Sequence, residues 1–197
     1  MSYIKPITPM FLNLKNLEDR IQNLQLYLDD KISWLDYSFG LADRLTQQRD
    51  EPYVFPGVYI SNTEDPFDCM PSDIYNYCFW TVEDLAELSY DDEFSVRKDS
   101  LVKYEASVIF FLNLSKIATT TAYNVTRSHC RRDIMDALNS LSGVNCFFTP
   151  ESYIENDITA IFDGFTVSAI DNIKKQLPYW AMRVNGSLTF RLDCDNV

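Results

Sequence analysis

The sequence predicts an α+β fold: a mainly antiparallel β-sheet with a long N-terminal helix and a second helix packed on it. Three observations carry this. Apolar residues near the N-terminus recur every three or four positions, as one face of a helix requires. Two later segments, around 104–114 and 180–192, alternate in the way a sheet strand alternates. The chain has 197 residues, 46% apolar and 14% aromatic, which is enough to bury one core without a disulfide or metal. It therefore reads as a single domain over 1–197, with an acid-rich surface excursion at 83–100.

The helix is read from Leu14, Leu17, Ile21, Leu24 and Leu28, and the stripe continues through Ile32, Leu35 and Phe39. Thr8 before Pro9, or Asn13, is placed to cap it. From Leu12 to Phe39 such a helix would be about 42 Å long, so a break at Asp29-Asp30 is an open alternative. Tyr53 to Ile60 reads as a strand held to an edge or bent by Pro56. Ser61 to Asp73 reads as loop, Tyr77 to Val82 as a short strand, and Glu83 to Ser100 as the acidic excursion.

Tyr104 to Leu114 is the clearest strand. Tyr104, Ala106, Val108, Phe110, Leu112 and Leu114 give it one apolar face. Glu105, Ser107, Ile109, Phe111 and Asn113 give a second face that is apolar only at its centre. Such a strand belongs inside a sheet, with part of its second face also covered. Asn124 to Leu141 reads as the second helix, with Cys130, Ile134, Ala137, Leu138 and Leu141 inward and Gly143 beyond its end. Tyr153 to Phe165 fits either a short helix or a strand.

The C-terminal pattern poses a choice. Asn185-Gly186 is a strong hairpin signal. A two-residue turn there would pair Val184 with Ser187 and Met182 with Thr189, mixing apolar and polar side chains on each face. An unbroken strand keeps Trp180, Met182, Val184, Leu188, Phe190 and Leu192 together, so one long strand is predicted, bulged if anywhere at Gly186.

The charge constrains function. There are 29 acids against 17 Lys and Arg, a net −12, which disfavours loose binding to nucleic acid or anionic lipid. Met1 to Met10 shows no apolar core segment or cleavage site, so no secretory signal is expected. The five cysteines, Cys69, Cys78, Cys130, Cys146 and Cys194, include no C-x-x-C pair and read as reduced thiols. The single histidine, His129, adjoins Cys130, but adjacent residues on a helix do not face each other. No metal spacing, calcium loop, phosphate-cradling loop or nucleophile elbow occurs, so neither an enzyme nor a cofactor is expected. Arg127, Arg131 and Arg132 lie on the second helix near Asp133 and Asp136. They read first as a solvated, partly paired face and second as a contact to an acidic neighbouring subunit. Tyr179 and Trp180, at the start of the last strand, read as core residues or as aromatic anchors of a subunit interface.

In order along the chain stand Phe55-Pro56-Gly57-Val58-Tyr59, Pro71-Ser72-Asp73, Phe79-Trp80, Leu114-Ser115-Lys116-Ile117, Arg131-Arg132-Asp133-Ile134 and Ile161-Phe162-Asp163-Gly164-Phe165. Ile170 follows, and then Pro178-Tyr179-Trp180-Ala181-Met182-Arg183-Val184. This order resembles bacteriophage tail terminator proteins. The acid-rich stretch 83–100 is less typical of them, which leaves a neck ring protein of a short-tailed phage open. The richness in Asn, Asp, Ile and Tyr is similar to that of crAss-like phage proteins. The resemblance implies a structural virion protein at the neck or tail: a homo-oligomeric ring, hexamer or dodecamer, that ends the tail or joins it to the head. Its partners would be other neck, portal or tail proteins, and DNA would pass the lumen without specific binding. The alternative from the residues alone is a small α+β module that binds a ligand or protein in the cytoplasm.

Overall fold

The computed structural model describes residues 17–59, 66–71, 75–90, 100–120, 126–143, 146–170, 175 and 177–191. The first elements are α1 (Leu17–Lys31), β1 (Tyr37–Leu41), β2 (Asp43–Gln47), β3 (Tyr53–Val58), β4 (Phe67–Asp68) and β5 (Tyr77–Tyr90). Next come β6 (Ser100–Asn113), α2 (Leu114–Thr120), α3 (Arg127–Asn139), β7 (Ser142–Gly143) and β8 (Cys146–Glu155). The chain then forms α4 (Ile158–Ile161), a 3-10 turn at Val167–Ala169 and β9 (Tyr179–Arg191). The larger sheet has the order β1-β5-β6-β9-β8-β7 and the smaller one β2-β3-β4. Every neighbouring pair is antiparallel except β1 with β5. The α+β fold rich in antiparallel sheet thus holds.

β6 lies inside the sheet between β5 and β9, as one fully apolar face and a second face apolar at its centre require. On one side of the large sheet, Trp80, Val108, Phe110, Leu112, Met182, Val184 and Leu188 pack against Ile21, Leu24 and Leu28 of α1 and Ile134 and Leu138 of α3. On the other side, Phe79, Ile109, Phe111 and Ala181 pack against Tyr53, Phe55 and Val58 of β3 and Phe162 after α4. The molecule therefore has three layers: helices, large sheet, small sheet.

The N-terminal helix needs correction. Its part before Leu17 lies outside the described residues. It ends at Lys31, close to the alternative break at Asp29-Asp30, and Tyr37 to Phe39, the predicted last part of the helix, belongs to strand β1. Ile32 and Leu35 do sit in the helix-side core, but Phe39 belongs to the core on the opposite side. A step of four residues kept the helical spacing while the backbone had already become a strand. Asn76 fixes the change. Its carbonyl accepts from the Asp36 and Tyr37 amides at 2.8 and 3.1 Å, and its own amide donates to Asp36 Oδ2 at 2.8 Å. From β1 the chain crosses to the small sheet within two residues: Leu41 pairs with Trp80, and Asp43 with Gly57.

Within the expected loop 61–73, Phe67–Asp68 forms the short strand β4. Of the expected excursion 83–100, Glu83–Tyr90 continues β5 and pairs with β6 beyond a bulge between Val82 and Ala86. The second helix is shorter than predicted, Arg127–Asn139, with Cys130, Ile134, Ala137 and Leu138 buried. The ambiguous stretch from Tyr153 divides: β8 to Glu155, then Asp157 caps α4 by accepting from the Thr159 and Ala160 amides.

β9 runs unbroken from Tyr179 to Arg191, pairing with β6 on one side and β8 on the other. There is no hairpin at Asn185-Gly186, because each half of the strand already has two partners. The bulge is on the neighbour instead, between Pro150 and Ser152 of β8, opposite Gly186 and Asn185. Gly186 is what lets β8 come close there. A Cβ would collide with the Thr149 carbonyl oxygen and lie 2.9 Å from the Phe148 ring.

Candidate functional site

The large sheet is covered by helices along one face, but the small sheet covers only part of the other. β6, β9 and β8 continue past that cover. Register places Lys103, Thr189 and Phe147 in one row of this face, Glu105, Ser187 and Thr149 in the next, and Ser107 and Asn185 in the third, with Ser152 beside them. The row at its inner limit is Ile109, Arg183 and Ile154, where Ile109 is already fully buried under the second layer. Lys103, Glu105, Thr149 and Ser152 are exposed, and Phe147 keeps 51% of its surface.

This half-face carries a joined set of polar side chains. Ser107 Oγ and Asn185 Oδ1 are 2.8 Å apart, with the hydroxyl donating. Arg183 Nε points at both, 2.8 Å from Asn185 Oδ1 and 3.2 Å from Ser107 Oγ. Asn185 Nδ2 donates to Ser152 Oγ at 3.3 Å, so the network crosses three strands. Ser107 is only 6% exposed. Polar residues suit this part of the strands, because among the described residues neither core cluster includes them.

The residues singled out from sequence are not brought together into one surface. Trp180 is 2% exposed and faces the helix-side core, so its indole offers nothing to a neighbouring subunit. Its Nε1, like that of Trp80, is buried and has no hydrogen-bond partner among the described residues. Tyr179 is half-buried on the opposite face, its ring stacked on Phe111 at 5.9 Å. Arg131 is tied inward, Nη1 to Glu155 Oε1 at 2.7 Å. Arg127 Nη1 donates to Asn156 Oδ1 at 2.8 Å. Arg132 remains at the surface, 3.5 Å from Asp133. Two of the three arginines therefore fasten α3 to the end of β8. The network around Arg183 was not singled out, although Arg183, Asn185 and Ser187 occupy the polar phase of the strand that the alternation identified.

His129 and Cys130 diverge. His129 Nδ1 lies 2.8 Å from Thr126 Oγ1 and 3.4 Å from the Thr126 amide at the start of α3, while Cys130 is buried. Burial pushes the Cys78 and Cys130 thiols up to about 12 and the Cys146 thiol up to about 11, and raises Cys69 well above its ordinary value. These thiols stay protonated and are poor nucleophiles at neutral pH. Burial and the 2.7 Å bond to Asp68 likewise raise the Tyr53 phenol. Among the described residues, no group of three or more His, Cys, Asp or Glu is placed to hold a metal ion. No described helix is long and apolar enough to cross a membrane.

No family profile and no curated protein matches this sequence.

Proposed function

We propose that this chain is a structural assembly subunit, a ring-forming component of a phage neck or tail that terminates the tail or joins it to the head. The observation that carries the proposal is the unfinished large sheet. β1 pairs with β5 only from Tyr77 to Trp80, so the outer edge of β5 beyond Trp80 has no strand partner among the described residues. One half-face of the same sheet also has no covering layer among the described residues, and Lys103, Glu105, Thr149 and Ser152 on it are exposed. An unpaired edge of this length is a template for strand addition. Head-to-tail contacts between copies close into rings when the rotation permits. The order of motifs that resembles tail terminators supports the same reading. So does the net charge of −12, which would let DNA pass a ring lumen by like-charge repulsion. The partners would be further copies of the chain and the adjoining neck, portal or tail proteins, within the virion.

Light scattering on a size-exclusion column, with negative-stain microscopy of the same fractions, tests the proposal. The expected result is a concentration-dependent ring. A strictly monomeric particle at every concentration, with no ring in assembled virions, would overturn it.

A further inference from the structure

We infer that Arg183 is a receiving site for a carboxylate from a second copy of this chain. The inference rests on the assembly reading above and names one of its contacts. Arg183 is half-buried in the middle of β9. Its Nε is held by Asn185 Oδ1 and Ser107 Oγ, at 2.8 and 3.2 Å. Those two groups are themselves joined, and Ser152 braces the far side of Asn185. The stem of the guanidinium is thus fixed by neutral partners, and among the described residues no hydrogen bond is made by its two terminal nitrogens.

No carboxylate among the described residues pairs with Arg183. The chain carries 29 acids against 17 bases, so acids are in excess on every copy. A guanidinium stays charged in any protein environment, and its planar fork matches a carboxylate through two parallel hydrogen bonds. The row it occupies is flanked by Ile109, fully buried, and Ile154, half-buried. Apolar shoulders lower the local dielectric and strengthen an ion pair formed between them. The floor next to it, Ser107, Ser152, Thr149 and Ser187, is hydroxyl-rich; its one described acid, the exposed Glu105, stands two rows away beside Ser187, with Lys103 in the row beyond. Ile109 in this row is buried in the core shared with the small sheet, while Ser152 and Thr149 in the following rows are exposed, so an acidic side chain of a neighbouring copy can approach over that half-face.

The test measures assembly against protein concentration for the wild type, R183K, R183Q and R183E. R183Q and R183E are expected to raise the midpoint concentration by about tenfold or more. R183K is expected to lose part of that, because an ammonium keeps the charge but not the fork. A wild type that never assembles ends the assembly reading and this contact with it. Assembly of the wild type that R183Q and R183E leave unchanged overturns the Arg183 contact alone. A substitution that unfolds the protomer is bypassed by labelling wild-type Arg183 with phenylglyoxal and reading the product by mass spectrometry. Protection above the assembly midpoint and reaction below it is the expected result. Equal labelling on both sides overturns the inference, as does protection of the dilute protomer by inorganic phosphate with no dependence on protein concentration.

Discussion

The two faces of the large sheet are built from the same strands, yet they have opposite characters. On the helix side, Val102, Val108, Phe110, Leu112, Met182, Val184, Leu188 and Phe190 are all at or below 3% exposed, and Tyr104 on the same face is half-buried. On the other side, Ile109, Phe111 and Ala181 are buried, but Lys103, Glu105 and Thr149 are exposed. The difference lies in what covers each face, since the backbone is shared. The helix side is a finished core, and the opposite side is a core for half its length and a surface for the rest. Stability should follow the first, and contacts with other molecules the second.

The largest effect should come from the finished face. Phe110→Ala empties a fully buried site in the helix-side core and should lose about 3–5 kcal/mol in urea unfolding. Thr149→Ala, on the open half, should stay within about 0.5 kcal/mol of wild type. Similar losses at both positions would mean that the open half is covered in solution. Gly186→Ala tests the narrow place where the two characters meet. Its methyl group would strike the Thr149 carbonyl and the Phe148 ring, so a loss of about 1–3 kcal/mol is expected, with the β8 bulge disturbed in amide exchange. An unchanged unfolding midpoint would show that β8 can move aside.

Alkali sharpens the comparison, because the buried thiols lie mainly on the finished side. An unfolded cysteine ionises at about 8.5. In the folded chain burial raises Cys146 to about 11, and Cys78 and Cys130 to about 12. The neutral thiol is the form the fold favours. Its contribution is therefore complete below the unfolded value and is lost as pH climbs through the folded one. Urea midpoints should hold from pH 7 to about 8 and fall between about pH 9 and 11. Flat midpoints up to pH 11 would show that the thiols reach water more readily than their burial implies.

How much of this was legible in the sequence depended on whether one period had one meaning. β6 and β9 were readable because strict alternation over more than ten residues fits nothing but a strand. The rejection of a turn at Asn185-Gly186 followed from register alone, and the pairing of β9 on both sides bears it out. The half-covered second face was also visible, in the contrast of Ile109 and Phe111 with Glu105 and Ser107. What failed was the join between α1 and β1. Leu28, Ile32, Leu35 and Phe39 keep a helical spacing, yet the last of them is on a strand facing a different core. Periodicity records that a residue is buried and not which core buries it. The polar network escaped for a related reason. Ser107 on β6 and Asn185 and Arg183 on β9 meet only through pairing of strands 78 positions apart in sequence, which no local pattern reports. Trp180 had two readings, core residue or interface anchor, and its phase on β9 places it in the core.

The smallest expected effect concerns His129, the only histidine. It lies at the exposed start of α3, where Thr126 precedes the first turn and His129 stands at the third helical position. That is where a capping box places a side-chain acceptor for the cap residue's amide, a role Glu or Gln usually fills. The Thr126 amide is 3.4 Å from Nδ1, a long contact, and the hydroxyl is 2.8 Å away. His129→Ala should therefore lose only about 0.5 kcal/mol, at the low end for a cap in water. His129→Gln, which keeps an acceptor within reach, should recover most of it. Neither change should alter the mass of the assembled particle, because α3 is fastened to β8 by Arg127 and Arg131 whatever its first turn does. A loss above about 2 kcal/mol, or a failure to assemble in a folded His129→Ala protein, would give this residue a task that a helix cap does not explain.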